Sequence, residues 1–182
     1  MNDHITIRFF NSLDIPVIVK AFALANWTKS VDIFEKYLYE QNNLDRIVWV
    51  AYNKEQFAGY VTLKWESLYK PFLKEQIPEI MDLNVLPHFR TQGIASNLLE
   101  TAENIASTRN NIVGLGVGLY KDYGLAQKLY IKRGYVPDGL GITYNYEHVI
   151  AGNTYQIDDD LILWMTKKFN LYYFSTNGID VL

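Results

Sequence analysis

Residues 83–95 carry the sequence LNVLPHFRTQGIA, in which an apolar strand runs into a basic loop that contains one glycine. After the loop, apolar residues recur at the spacing of a helix that begins close to Gly93. They are Ile94, Leu98, Leu99, Ala102, Ile105 and Ala106. The first amides of such a helix have no intrahelical partner and, with the helix dipole, they bind phosphate oxygens. Gly93 lets the backbone approach an anion and Arg90 adds a positive charge, so the stretch predicts an anion site.

The spacing Arg90-x-x-Gly93-x-Ala95 resembles the pyrophosphate loop of the GCN5-related N-acetyltransferase (GNAT) superfamily, whose usual form is Gln/Arg-x-x-Gly-x-Gly/Ala. The resemblance implies that the loop holds the diphosphate of acetyl-coenzyme A (acetyl-CoA), mainly through backbone amides. The loop residues concerned are Arg90, Thr91, Gln92, Gly93, Ile94 and Ala95. Ser96 adds either a hydroxyl to a phosphate or ordinary solvation of the helix end. The simpler alternative for the motif is a helix N-terminus with a surface arginine.

A second segment, residues 126–135 (AQKLYIKRGY), is similar to the Ala-x-x-Leu-Tyr-x-x-x-Gly-Phe/Tyr pattern of the same superfamily. By this resemblance the Tyr130 hydroxyl contacts the cofactor near its sulfur and protonates the leaving thiolate, as a phenol with a pKa of about 10 can. The alternative is that Tyr130 only packs in an apolar stripe of its helix. Tyr123 departs from the pattern, because relatives often carry Asn there. In this chain the hydroxyl or the ring of Tyr123 is predicted to contact the coenzyme in place of the Asn side chain.

Two carboxylates are candidates for a general base. Glu79 lies fourteen residues before Gly93, where some superfamily members carry a glutamate that relays a proton from the substrate amine. Strand alternation predicts that Asp82 faces the opposite side from Glu79, so that one faces the acceptor and the other has a structural partner. A carboxylate at a strand start is usually solvated. Ordered water in place of a dedicated base is therefore a further alternative.

The order of the predicted elements is also that of the GNAT fold. Strands are predicted at 4–10, 46–52, 57–65, 79–86, 111–119, from 134 and at 161–169, and helices at 14–27, 30–43, 93–108 and 122–133. The resemblance implies an α/β (α+β) fold with flanking helices and a mixed central sheet of about six to seven strands. Its central parallel strands, 79–86 and 111–119, splay apart and receive the pantetheine arm. Backbone groups near Leu83, Asn84 and Val85 would then bond the pantetheine amides.

Length and composition predict a single domain, which the resemblance makes a GNAT acetyltransferase domain over residues 1–169, followed by an aromatic C-terminal tail at 170–182. The net charge of −3 provides no overall basic surface of the kind that nucleic acids need. No apolar run approaches membrane-spanning length, so no membrane partner and a cytoplasmic location are predicted. A homodimer through the aromatic tail is left open.

Several other chemistries are disfavoured by residue types and spacing. Without cysteine, a covalent acyl-cysteine intermediate is impossible, and the three widely separated histidines predict no metal site. The run Gly114-x-Gly116-x-Gly118 begins like a dinucleotide fingerprint, but Leu119 occupies the position of its last glycine. These glycines either let a cofactor approach the strand or serve packing.

The sequence therefore predicts an N-acetyltransferase in which a primary amine of a small molecule or peptide attacks acetyl-CoA directly. A non-catalytic acyl-CoA-binding regulatory module is the alternative. Residues 69–78, predicted as a loop, and residues 144–160 are the expected wall of the acceptor site. They do not identify the acceptor.

Overall fold

The computed structural model describes residues 4–169, which form a mixed α/β (α+β) fold. The strands are β1 (Ile5–Phe9), β2 (Arg46–Asn53), β3 (Gln56–Lys64), β4 (Glu79–Val85), β5 (Ile112–Gly118), β6 (Val136–Tyr144), β7 (Glu147–His148) and β8 (Leu161–Lys168). The helices are α1 (Asp14–Leu24), α2 (Val31–Asn42), α3 (Lys70–Lys74), α4 (Ile94–Ala106) and α5 (Gly124–Lys132). The predicted tail at 170–182, with the dimer interface assigned to it, lies outside the described residues.

The strands form one eight-stranded sheet in the order β1-β2-β3-β4-β5-β8-β6-β7. Six to seven strands were expected. The additional strand is β7, whose two residues pair with the end of β6 and are too few to show an alternating pattern. The segment 69–78, predicted as a loop, contains the short helix α3. Pro71 stands in its first turn, where a missing N–H costs no hydrogen bond.

The central strands β4 and β5 run parallel but pair only where β4 begins, through Glu79 with Gly114 and Ile80 with Leu115 in the middle of β5. Beyond these pairs the two strands separate, which is the predicted splay. On its other side β4 stays paired with β3 as far as Val85. A bulge interrupts that second pairing near Asp82, whose backbone is left-handed at φ 52°. The separation opens one side of the β4 backbone toward a cavity.

Packing of α4 holds residues 90–95, called the phosphate loop below, at the end of β4. The helix buries an apolar stripe against strands β2, β3, β4 and β5. Its buried apolar residues are Ile94, Leu98, Leu99, Ala102 and Ala106. A second, smaller cluster packs α3 against β8 through Tyr69, Phe72, Ile77 and Trp164. Among residues 4–169, no helix combines the length and the apolar character needed to cross a bilayer.

Candidate active site

The separated ends of β4 and β5 border a cavity of about 1060 Å³. Strand β4, the phosphate loop, β5, α5 and β8 all contribute to its lining. Every residue predicted to contact the coenzyme or to transfer a proton lines this cavity except Gln92. The Gln92 side chain turns instead toward the β2–β3 hairpin. There its Oε1 accepts a hydrogen bond from Asn53 Nδ2 at 3.0 Å, and its Nε2 donates to the His88 carbonyl at 3.0 Å.

The phosphate loop has the predicted geometry of an anion site. Helix α4 begins at Ile94, directly after Gly93, which confirms the predicted helix start. The first backbone bond of the helix runs from the Asn97 amide to the Gly93 carbonyl, at 3.0 Å. The amides of residues 93–96 precede this bond and have no carbonyl of an earlier turn to pair with. Gly93 has a φ of 87°, and a Cβ on it would meet no atom within 4 Å. The loop is therefore an open cradle of amide donors, which fits a diphosphate.

Arg90 connects this cradle to the end of β4. Its side chain is exposed, and its Nε donates to the Val85 carbonyl at 3.2 Å. The bond ties the loop to the last residue of β4. A charge held in this place suits a phosphate oxygen.

The β5 glycines make room for side chains of the chain itself. A Cβ on Gly114 would lie 2.0 Å from Phe72, and one on Gly118 would lie 2.4 Å from the Tyr123 ring. Tyr123 also donates its hydroxyl to Asp159 at 3.0 Å, and Tyr120 bonds the same carboxylate. Tyr123 therefore lines the cavity, while its hydroxyl is already bonded to Asp159, another residue of the lining.

Tyr130 is buried, with 7% of its surface exposed, yet it contributes to the cavity lining. Its ring centre lies 5.9 Å from that of Tyr135. Burial raises its pKa, and the charge of Asp82 adds to the rise, so the phenol stays protonated throughout the neutral range. Within residues 4–169 its hydroxyl makes no hydrogen bond. The side chain thus packs in the core and still presents a protonated donor to the cavity.

Glu79 is not solvated, contrary to the expectation for the first residue of a strand. It is 3% exposed, because β4 is a central strand and Glu79 is already paired on both sides, with Lys64 and Gly114. Burial raises the pKa of Glu79 to about 7, although a hydrogen bond from Ser67 lowers it. A carboxyl group that titrates near neutrality is suited to accept and release protons.

Asp82 also lines the cavity, so the expected placement of the two carboxylates on opposite sides is wrong. The bulge with its left-handed residue interrupts the alternation of β4. Asp82 Oδ2 accepts a hydrogen bond from the Tyr37 hydroxyl at 2.5 Å and lies 3.9 Å from Arg46 Nη1. Arg46 is itself buried and paired with Glu40 at 2.5 Å. Asp82 is therefore held by side chains of α2 and β2, whereas Glu79 is bonded by Ser67.

The residues that line the rest of the cavity differ in part from the segments predicted as the wall of the acceptor site. Residues 145, 146, 159 and 160 line it, as expected of the segment 144–160, but residues 69–78 do not. Instead, the Tyr69 ring stacks behind Trp164 with the ring centres 4.2 Å apart. Trp164 itself, together with Trp27 and Lys29 from the loop after α1, was not expected in the site. A tryptophan in an apolar strand or after a helix gives no local signal of a ligand.

The family model described as acetyltransferase (GNAT) domain matches residues 45–137. No curated protein matches the sequence. A Salmonella typhimurium protein whose structure contains its cofactor acetyl-CoA has a TM-score of 0.66 at 16% identity, over 97% of this chain and 100% of that one. A spermidine N-acetyltransferase chimera from Vibrio cholerae and hSSAT has a TM-score of 0.64 at 18% identity, over 91% and 96%. The ribosomal-protein-alanine N-acetyltransferase of Brucella melitensis has a TM-score of 0.64 at 19% identity, over 90% and 99%. These structures share the fold.

Proposed function

The chain belongs to the GNAT acetyltransferase family and is an acetyl-CoA-dependent N-acetyltransferase. From that premise we propose that its acceptor is a primary amine of a small molecule or peptide, which attacks acetyl-CoA directly. One observation carries the proposal. A single cavity joins an open cradle of amide donors at Gly93 to a buried, near-neutral carboxyl group at Glu79.

Coenzyme recognition is assigned to the loop and the strand before it. Residues 90–96 bind the diphosphate through the helix amides and Arg90. The pantetheine arm lies along Leu83, Asn84 and Val85, where the separation from β5 leaves backbone groups without a strand partner. Acetyl-CoA supplies the acetyl group as a thioester. Because the chain has no cysteine, transfer does not pass through an acyl-cysteine.

Proton transfer is assigned to two side chains of the cavity. Glu79 accepts a proton from the amine as the new C–N bond forms, and Tyr130 donates one to the sulfur as the C–S bond breaks. Asp82, held by Tyr37 and close to Arg46, is the structural carboxylate of the pair. Each role uses a group whose protonation state at neutral pH is set by its surroundings: an ionisable Glu79 and a protonated Tyr130.

We expect kcat/KM to rise with pH through about 7, because Glu79 accepts a proton only when ionised and burial raises its pKa to about 7. At pH 6 roughly a tenth of the molecules carry the ionised carboxylate, so the rate falls about tenfold from its plateau. Glu79→Gln should remove this inflection and leave only the titration of the amine substrate. The measurement is a pH profile of thiol release for wild type and variant.

Glu66→Gln is the matched control, since Glu66 is exposed in the segment after β3. Its profile should retain the inflection. An inflection that persists in Glu79→Gln and disappears in Asp82→Asn would assign the base to Asp82 instead.

Release of free thiol from acetyl-CoA in the presence of amines tests the proposed function itself. The panel consists of spermidine, lysine, kanamycin and a peptide that begins with alanine. Spermidine and alanine represent acceptors named for proteins of similar fold. Amine-dependent thiol release supports the proposal. Tight binding of acetyl-CoA with no release for any amine favours the alternative, a non-catalytic regulatory module.

A further inference from the structure

Ser67 lies between β3 and α3, outside the two sequence motifs described above, and it is almost completely buried at 2% exposure. Its Oγ lies 2.5 Å from Oε2 of Glu79. The same Oγ accepts a hydrogen bond from the Tyr69 amide at 3.0 Å. Because an amide can only donate, the one proton of the hydroxyl is directed toward the Glu79 carboxylate.

Three parts of the fold hold this hydroxyl in place. Tyr69 stands immediately before α3, and its amide orients Ser67. The Tyr69 ring stacks on Trp164 of β8, with 3° between the ring planes. The Tyr69 hydroxyl donates a hydrogen bond to Asp138 of β6 at 2.9 Å. The donor that faces Glu79 is therefore fixed by packing rather than carried on a free loop.

The bond engages one oxygen of the carboxylate. Within residues 4–169, no hydrogen bond to the other oxygen, Oε1, is found, and the side chain lines the cavity. We propose that Ser67 is a positioning residue for acetyl transfer, which holds Oε2 of Glu79 so that Oε1 accepts the proton of the amine. The inference rests on the proposed role of Glu79 as the base.

Ser67 also favours the ionised form of Glu79, because a hydrogen bond to a carboxylate stabilises its charge. Other charged or titratable groups that face Glu79 are Asp82 of β4, Arg46 of β2, Lys64 of β3 and Tyr146 of the β6–β7 turn. None of these is altered by a substitution at Ser67. A shift in the titration of Glu79 in a Ser67 variant therefore reports the loss of this one donor.

The direct test is the titration of the Glu79 carboxyl carbon by NMR in protein labelled at glutamate, with Glu79→Gln identifying the signal. We expect Ser67→Ala to raise the Glu79 pKa by about one unit, which lowers the ionised fraction roughly tenfold at pH 6. Ser67→Thr keeps the hydroxyl and should restore the wild-type titration. This measurement needs neither acetyl-CoA nor an amine.

The pH profile of thiol release, with the fastest amine of the panel above, should move to higher pH by the same amount in Ser67→Ala. Thr101→Val is the control. It removes a hydroxyl of α4 that donates to the Asn97 carbonyl at 2.9 Å rather than to Glu79, so the inflection should stay in place.

A Ser67→Ala titration identical to wild type, or a loss of rate that is equal at every pH, overturns the proposal and leaves Ser67 a structural residue. The failure of the proposed function has a different signature. In that case Glu79→Gln turns over normally or no amine of the panel reacts, whatever the titration of Glu79 shows in the Ser67 variants.

Discussion

We expect Gly93→Val to abolish the binding of acetyl-CoA while leaving the fold largely intact. A side chain at this position would meet no atom of the chain within 4 Å, so it occupies the open space assigned to the diphosphate. A φ of 87° is also sterically unfavourable for any residue with an L side chain. A β-branched residue at such a φ destabilises the loop by on the order of 1–3 kcal/mol. That strain acts on the loop that must present its amides. Calorimetric titration of the folded variant with acetyl-CoA is the measurement.

Gly139→Val is the matched control for backbone strain. Gly139 lies in β6 with a φ of 86° and an equally open Cβ direction, but it does not line the cavity. Its variant should bear a similar strain and bind acetyl-CoA normally. Arg90→Ala provides a graded comparison, with a loss of about 1–3 kcal/mol for one charge-assisted hydrogen bond. Unchanged affinity in Gly93→Val would remove the phosphate loop from the proposal.

Tyr130→Phe slows the chemical step by roughly 10²–10⁴-fold if its hydroxyl is the general acid. The substitution removes one oxygen from a buried ring, and that oxygen makes no hydrogen bond within residues 4–169, so the core should hold. Affinity for acetyl-CoA should change little, because the phosphate loop supplies the charge recognition. The test compares single-turnover rates with coenzyme affinity in the same variant.

Tyr135→Phe is the control for Tyr130→Phe. Tyr135 is equally buried and neighbours Tyr130, but it does not line the cavity, and the family pattern accepts Phe at its position. Its rate should match the wild type. A wild-type rate in Tyr130→Phe would make Tyr130 a packing residue. Equal losses of affinity and rate would instead make it a positioning contact.

Periodicity and short motifs in the sequence were sufficient to predict the long helices and strands and the start of α4. The start of α4 after Gly93 follows from helical spacing and from a residue that tolerates a positive φ. The order of strands and helices follows from periodicity, and the place of Tyr130 at the cavity from the motif of residues 126–135. The short elements α3 and β7 were not predicted, because each is too brief to show a period.

The acceptor half of the site was decided by contacts between distant segments. Burial of Glu79 depends on strands paired on both of its sides, and its bond with Ser67 joins residues that no common motif links. The bulge at Asp82 cancels the alternation from which its direction was predicted. The sequence on its own thus determined the family, the proposed phosphate loop and the candidate acid, since each is encoded within a few consecutive residues. Only the tertiary structure decided the burial and pKa of Glu79 and the walls of the cavity, because burial, pKa and cavity shape arise from the packing of segments far apart in the chain.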